Sequence, residues 1–487
     1  FLKKSPNNLS SNSKSDEPNR KNEERPPEST DLYQALFPIY HLSKLCGLVP
    51  VRLTKLENGK YQGQLSVSSI IYSVCLLTLL VALECWGLWR DMRDGLDKST
   101  RLKSRTSSIA TFSDVSAIVA LTTVAILGSP FRWKYMQVVM DKLVEVDEKV
   151  GLVTPTKTRR FTITVVTVSL FLLILTSCLD IYAWDAETKA TKKMRDKGPI
   201  NYSPLYVMYI VILLMEIQYG VIAYNVGQRF ARLNRSLENI LKAGKFTDYF
   251  RRDLGLASDF RETGTITTLT QDPSLRLFRK TKILDFYPAV NDDRSYADII
   301  AELVPLHSSL CDAVGCINSA YGIALLVITL TCLLHLVITP YFLIIEVDGS
   351  KGQLFLLVQL LWCILHIGRM MMIVQPTYST VTEAKRTAIV VSQLLYSSPE
   401  LEARKQLEIF SLQLLHRPLN FSACGLFSLD RALVTSMAGA VTTYLVILIQ
   451  FQKADDTKGD ADAIRNVSQI LKNASSTLQN FTGIKFG

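Results

Sequence analysis

The chain contains seven long, predominantly apolar stretches, and this pattern limits its fold more strongly than any other feature. They cover residues 66–89, 108–131, 161–184, 203–226, 321–345, 353–374 and 430–451. A helix needs about 20 apolar residues to cross the hydrocarbon core of a bilayer. We therefore expect an all-α polytopic membrane protein with seven transmembrane helices, here called spans one to seven, whose termini lie on opposite sides of the bilayer.

The composition excludes most enzyme classes. The chain is 48% hydrophobic and 20% charged, with a mean hydropathy of +0.19, which is too apolar for a typical soluble enzyme of this size. Its nine cysteines and five histidines form no CxxC pair and no cluster with metal-ligand spacing. Glycine-rich phosphate loops and the HExxH and GxSxG motifs are also absent from the sequence. We predict no enzymatic activity, no metal and no cofactor.

The positive charge predicts contact with the lipid bilayer and gives an orientation. The net charge is +10, and Lys and Arg flank the apolar stretches, where lipid headgroups are better partners than nucleic acid. The short loops on the two sides carry equal numbers of cations. However, the five cations of 229–245 and the three of 52–60 outnumber those that begin the C-terminal tail. The positive-inside rule therefore favours a cytosolic N-terminus.

The spans divide the chain into seven segments. The predicted segments are a disordered cytosolic tail (1–37), spans one to four (38–226), a cytosolic loop with helical ends (227–320), spans five and six (321–374), cytosolic helices of an assembly platform (375–429), span seven (430–451) and an extracellular polar tail (452–487). Within the platform, Ser398, Pro399 and Glu400 have the residue types that open a helix.

Three glycosylation sequons recur every seven residues in the C-terminal tail, at Asn466, Asn473 and Asn480. An extracellular tail would expose them to modification. Such triplets also arise by chance, as at Asn234 and Asn420 in segments assigned to the cytosol. Both interpretations stay open.

Span seven keeps polar side chains inside an apolar run. Thr443, Ile447, Gln450 and Phe451 are spaced i, i+4, i+7 and i+8, so they share one face of a helix. Polar groups within a span either hydrogen-bond a neighbouring helix or line an aqueous path. The spacing alone does not decide between these roles.

Several segments carry a resemblance to insect gustatory receptors. The run TTYLVILIQF fits the Thr-Tyr, five apolar residues, Gln-Phe signature that closes this family, and FSACGL at 421–426 stands upstream as it does there. RFARLNR at 229–235 and CLLHLVITPYFLIIE at 332–346 resemble the fructose-responsive branch. The resemblance extends from about residue 38 to 452.

The resemblance implies a ligand-gated, poorly selective cation channel in the plasma membrane of a sensory neuron. The expected assembly is a homotetramer with a cytosolic N-terminus, an extracellular C-terminus and span seven lining the pore. The expected ligand is a sugar, with D-fructose favoured, and the permeant ions are Na⁺, K⁺ and Ca²⁺. Thr443 and Gln450 would then form polar rings that solvate a cation, while Ile447 and Phe451 form apolar rings that close the pore.

A sugar is best met by carboxylate, amide and hydroxyl groups beside an aromatic ring. The resemblance carries over six residues to such a site, namely Asp180, Trp184, Thr339, Tyr341, Gln359 and Trp362. Trp184 is also a candidate for the aromatic belt at the membrane surface. His366 and Arg369 continue the polar stripe of Gln359 and Trp362 along span six, but a structural hydrogen-bonding role is expected for them.

Three alternatives remain beside the sugar-gated channel. A receptor of the same family could be tuned to another ligand, because the six carried-over residues do not fix the whole pocket. A G-protein-coupled receptor would place its N-terminus outside, which antibody access to tagged termini distinguishes. A sugar transporter would show repeat symmetry between its halves, which the sequence lacks, and would take up labelled sugar.

Overall fold

The computed structural model describes residues 31–55, 61–93, 105–150, 155–191, 202–253, 296–347, 353–397, 400–451 and 469. The three tail asparagines predicted as glycosylation sites, Asn466, Asn473 and Asn480, lie outside these residues, as do Ser398 and Pro399.

The described chain is almost entirely helical. Its helices are α1 (Asp31–Leu45), α2 (Val67–Arg93), α3 (Arg105–Leu127), α4 (Ser129–Val150), α5 (Pro155–Thr191), α6 (Ser203–Asp253), α7 (Tyr296–Val347), α8 (Gln353–Ser397), α9 (Leu401–His416) and α10 (Arg431–Phe451). Four short strands form two antiparallel hairpins, β1 (Val51–Lys55) with β2 (Tyr61–Leu65) and β3 (Ser422–Ala423) with β4 (Phe427–Ser428).

Seven of these helices are long and apolar enough to cross a membrane, which confirms the predicted spans. They are α2, α3, α5, α6, α7, α8 and α10. α6 and α7 run for 51 and 52 residues, well beyond a bilayer core of about 30 Å at 1.5 Å per residue. Both ends of the segment 227–320 are therefore helical extensions of spans four and five.

Two helices occupy segments that were not expected to be helical. α1 begins at Asp31, inside the predicted polar tail, because Leu32 and Tyr33 are buried in the core. α4 fills most of the loop after span two, and it buries Val139 and Leu143 on the face that packs against α7. Most of its charged residues lie outside the buried face, although Arg132 and Asp147 are buried. These charges lower the mean hydropathy and hide the helix from a search for spans.

α6 and α8 approach each other unusually closely at two glycines. A Cβ at Gly220 would lie 2.8 Å from the backbone oxygen of Met372, and a Cβ at Gly227 would lie 2.5 Å from Thr380 Oγ1. Thr380 also donates a hydrogen bond to the carbonyl of Ala223, at 2.8 Å. Small residues thus allow these two spans to pack backbone against backbone.

The β3–β4 hairpin immediately precedes α10. Cys424 and Gly425 in its turn have φ of 52° and 73°, and the Leu426 amide donates to the Ala423 carbonyl at 3.0 Å. Positive φ at both central positions is the type I′ geometry favoured in two-residue hairpins. The hairpin is therefore a tight turn between α9 and the start of α10.

Candidate functional site

The predicted polar stripe of span six is buried among its neighbours. Gln359, Trp362, His366 and Arg369 follow one another at helical spacing on α8, and all four are buried. Their common face meets α6 and α7, the two helices that pack most extensively on α8. The stripe therefore faces the interior of the helix bundle and not the lipid.

Trp362 lies at the centre of an aromatic cluster. Its ring is stacked with Tyr206 at a centroid distance of 6.4 Å and with His366 at 5.7 Å, and Tyr209 packs at 5.0 Å. The Tyr206 hydroxyl donates to Asp180 Oδ2 at 2.7 Å. Two of the six predicted ligand residues, Asp180 and Trp362, are thus joined through a tyrosine that the sequence analysis did not identify.

A pair of histidines lies next to this cluster. The rings of His335 and His366 stack at 4.5 Å. His335 Nε2 lies 2.7 Å from Asp114 Oδ1 and 3.2 Å from the Tyr209 hydroxyl. Asp114 on α3, which is span two, is therefore a partner of His335 on span five. Nδ1 of His335 is buried and has no hydrogen-bond partner among the described residues.

A buried ion pair lies next to the histidines. Arg369 is bidentate on Glu216, with Nη2 to Oε1 at 2.7 Å and Nε to Oε2 at 3.0 Å. Its guanidinium also lies 3.3 Å from His366 Nδ1 and stands over the Tyr209 ring. His366 and Arg369 thus make structural contacts of the kind expected for them. The partner carboxylate was not foreseen.

The other predicted ligand residues are distributed less compactly. Trp184 packs edge-to-face on Phe355 at 5.7 Å, at the end of α5. Thr339 is buried one turn beyond His335 and shares its face of α7. Tyr341 is also buried, but residues two apart on a helix point about 200° away from each other. Thr339 and Tyr341 therefore cannot both face the aromatic cluster while α7 stays helical through Pro340.

The residues that the sequence analysis missed had a recognisable pattern. Tyr206 and Tyr209 stand at i and i+3 in LYVMYIV, so they share a face of span four as the Gln359 and Trp362 pair does in span six. A search for polar and aromatic residues on one face of every span would have found them.

The predicted pore residues lie on the exposed face of α10. Only 6% of its most apolar window is buried, compared with 72% for α6. Thr443, Ile447, Gln450 and Phe451 are all exposed, whereas Leu448 on the other side is partly buried. The face predicted to line the pore thus lies within the part of α10 that the rest of the described chain leaves uncovered, which also includes Tyr444 and Val446.

The segment before α10 is tied to two other spans. Asn318 of α7 donates to the Asn420 carbonyl at 2.9 Å and accepts from the Ser422 amide at 3.2 Å. Arg431, the first residue of α10, lies 4.0 Å from the centre of the Tyr378 ring and donates to Gln375 Oε1 of α8. The start of α10 is therefore held by the helices that also carry His335 and Trp362.

Comparison with known proteins matches the chain to chemosensory receptors. Residues 36–455 match the family model described as 7tm Chemosensory receptor. The chain is 28% identical over 434 residues to the Drosophila melanogaster protein named gustatory receptor for sugar taste 43a, covering 87% of this chain and 100% of the relative. It is 25% identical to the putative gustatory receptor 28a of the same species, covering 90% of this chain and 96% of that protein.

Solved structures with a similar fold come from olfactory receptors. The insect olfactory receptor OR5 from Machilis hrabei superposes with a TM-score of 0.57 at 15% identity, covering 87% of this chain and 100% of that one. The same receptor in complex with eugenol gives 0.57 at 14% identity. At these identities the likeness establishes the arrangement of helices and nothing about the ligand.

Proposed function

Because the chain belongs to the 7tm chemosensory receptor family, as an insect gustatory receptor, we propose that it is a ligand-gated, non-selective cation channel opened by a sugar. This family is one of receptors and not of enzymes, and its members cross the membrane several times. D-fructose is the favoured agonist, and the plasma membrane of a sensory neuron is the proposed location. The relative named for sugar taste supports a sugar over other chemical classes.

The observation that carries the proposal is the buried cluster around Trp362. A sugar ring has one weakly apolar face and many hydroxyl groups, so an aromatic ring beside hydrogen-bonding groups suits it. Trp362 and Tyr206 provide the rings, and the Asp180 carboxylate next to them accepts hydrogen bonds. His335 Nδ1 adds a buried nitrogen that a sugar hydroxyl could satisfy.

Gln359 lies one turn from Trp362 on the same face of α8 and adds an amide to the proposed site. On α7, Thr339 lies one turn beyond His335 on the same face, and it adds a hydroxyl to the proposed site. Trp184 closes the end of the site through its contact with Phe355. Tyr341 remains a proposed member of the sugar site. Because it points away from Thr339 on α7, it could face the sugar only if α7 turned or unwound near Pro340.

The proposed pore is built from α10 of four identical subunits, with the N-terminus cytosolic and the C-terminus outside. Four copies of the exposed face would surround an axis with rings of Thr443, Ile447, Gln450 and Phe451. Hydroxyl and amide rings replace part of the hydration shell of a cation, while apolar rings exclude water when the gap is narrow. Charged side chains do not occur on this face, which fits weak selectivity among Na⁺, K⁺ and Ca²⁺.

Expression of this chain alone, in cells that lack other chemosensory receptors, tests the function. We expect D-fructose to evoke a cation current, with smaller responses to sugars of other shapes. A current evoked only by a non-sugar tastant would place the chain with receptors tuned to another ligand. Labelled-sugar uptake without current would establish a transporter, and an extracellular N-terminus would contradict the proposed topology.

A further inference from the structure

Two tyrosines at the start of α6 each donate a hydrogen bond to a carboxylate of another span. Tyr202, which directly precedes the helix, donates to Asp91 Oδ2 of α2 at 2.6 Å. Tyr206, one turn further along, donates to Asp180 Oδ2 of α5 at 2.7 Å. Carboxylates from spans one and three therefore meet span four on adjacent turns.

A third tyrosine of this series reaches a carboxylate through a histidine. The Tyr209 hydroxyl lies 3.2 Å from His335 Nε2, and the same nitrogen lies 2.7 Å from Asp114 Oδ1 of α3. The Tyr209 ring also packs on Trp362 at a centroid distance of 5.0 Å. The proposed sugar site around Trp362 is thus linked by direct contacts to carboxylates of spans two and three.

The guanidinium beside this cluster is already neutralised. Arg369 is held by both carboxylate oxygens of Glu216, at 2.7 and 3.0 Å. Asp114 and Asp180 add two more carboxylates on the other sides of the cluster. An anionic sugar would therefore be repelled, whereas a ligand with a positive charge would be attracted.

The protein already stabilises one buried cation here with a carboxylate and an aromatic ring. The Arg369 guanidinium lies against Glu216 and stands over the Tyr209 ring at 5.7 Å. The same combination recurs at Asp180 and Tyr206, and the Tyr206 ring is only half-buried. A carboxylate offers about four lone-pair positions, so it can accept from an ammonium as well as from a tyrosine.

We propose that this site binds protonated polyhydroxylated amines, such as iminosugars, and prefers them to neutral sugars of the same shape. The ring of the ligand stacks on Tyr206 and Trp362, and its ammonium donates to Asp180. His335 Nδ1, which is buried and has no hydrogen-bond partner among the described residues, binds a ligand hydroxyl. A hydrogen bond between two charged groups strengthens binding about fivefold over one from a neutral donor. The inference rests on the proposed sugar site.

The test compares two ligands that differ at one ring atom. The neutral ligand, 1,5-anhydro-D-mannitol, is D-fructopyranose without its anomeric hydroxyl. The charged ligand, 1-deoxymannojirimycin, has a nitrogen in place of the ring oxygen and is protonated at mildly acidic pH. Saturation-transfer-difference NMR titrations of the purified full chain in nanodiscs measure both dissociation constants. We expect 1-deoxymannojirimycin to bind about fivefold more tightly and to be displaced by D-fructose.

The variant Asp180→Asn removes the charge and keeps an oxygen that accepts from the Tyr206 hydroxyl. The ratio of the two dissociation constants should then fall from about five to about one. The matched control is Glu402→Gln, the same chemical change on an exposed residue of α9, and it should leave the ratio unchanged.

Equal binding of the two ligands by the parent chain would overturn the inference, and this comparison needs no variant that folds. A preference that survives Asp180→Asn would also overturn it, as would 1-deoxymannojirimycin that D-fructose does not displace. If neither ligand nor D-fructose binds, the proposed sugar function fails together with this inference. Binding of D-fructose without a preference for the amine refutes the inference alone.

Discussion

The imidazole rings of His335 and His366 are stacked 4.5 Å apart and within 13° of parallel. His335 also reaches Asp114 on α3, and His366 contacts Arg369 on its own helix. The stack therefore connects three helices directly beside Trp362. A ligand that binds against Trp362 and displaces His335 must also disturb these contacts, so His366, Asp114 and Arg369 are expected to influence sugar affinity.

Loss of polar groups from the proposed site should weaken the sugar response. Asp180→Ala and Gln359→Ala each remove a buried hydrogen-bonding partner, which costs about 1–3 kcal/mol, or about 5–150-fold in the half-maximal sugar concentration. Current recorded against sugar concentration at equal surface expression measures this. Leu357→Ala, an exposed position on the same helix, is the control. Dose-response curves of both variants that overlay the parent would remove these residues from the site.

The exposed face of α10 should control conduction. Phe451→Ala widens the proposed apolar ring and lets water enter, so we expect current without sugar. Gln450→Ala should instead alter conduction in the open state, because an amide ring that solvates the ion is lost. Leu448→Ala, on the partly buried face, should affect expression more than conduction. Leak through Leu448→Ala with a silent Phe451→Ala would mean that the pore face is rotated.

Breaking the buried ion pair should destabilise the protein. Arg369→Met leaves the Glu216 carboxylate buried without its bidentate partner, which costs about 3–5 kcal/mol. The double variant Arg369→Met/Glu216→Leu removes both charges and should recover much of that loss. The loss of stability is measured by heating the purified variants and monitoring, by size-exclusion chromatography, the fraction that remains folded at each temperature. A double variant as unstable as the single one would show that the cost is one of packing.

Asn318→Ala should weaken the coupling between α7 and the hairpin before α10. Two hydrogen bonds to the 420–422 segment are lost, worth about 1 kcal/mol each. We expect a smaller maximal current at unchanged surface expression, because movement of α7 no longer reaches α10 fully. Ser319→Ala is the matched control, since its hydroxyl bonds only to its own helix. Equal effects of the two substitutions would argue against this route.

Gly220→Ala should destabilise the packing of α6 on α8, because the added methyl would lie 2.8 Å from the Met372 backbone oxygen. The expected loss is about 1–3 kcal/mol in the free energy of unfolding. Gly368→Ala is a control on α8, where no atom lies within 4 Å of the added methyl. Alanine also favours a helix over glycine there. Thermal unfolding should rank Gly220→Ala clearly below Gly368→Ala.

The spans were predictable from sequence because bilayer thickness sets a minimum apolar length that few other structures require. α4 was not predictable in this way, because charged residues are interspersed with apolar ones such as Val139 and Leu143 along its sequence, so it contains no long apolar run. The pairing of Asp114 with His335 could not be predicted from the sequence either. The two residues are 221 positions apart, and only the packing of spans two and five brings them together. Similarly, Glu216 could be recognised as buried and costly, but its partner on span six could not be named.

The glycine contacts between α6 and α8 limit how the proposed site can move. Tyr206 and Tyr209 stand on one of these helices and Trp362 on the other, and the backbones meet with no side chain between them at Gly220. Sliding either helix would drive peptide groups into each other, so the pair behaves as a single rigid frame. We therefore expect Tyr206, Tyr209 and Trp362 to keep their spacing when ligand binds, and any movement in the proposed site to come from Asp180 on α5 and His335 on α7.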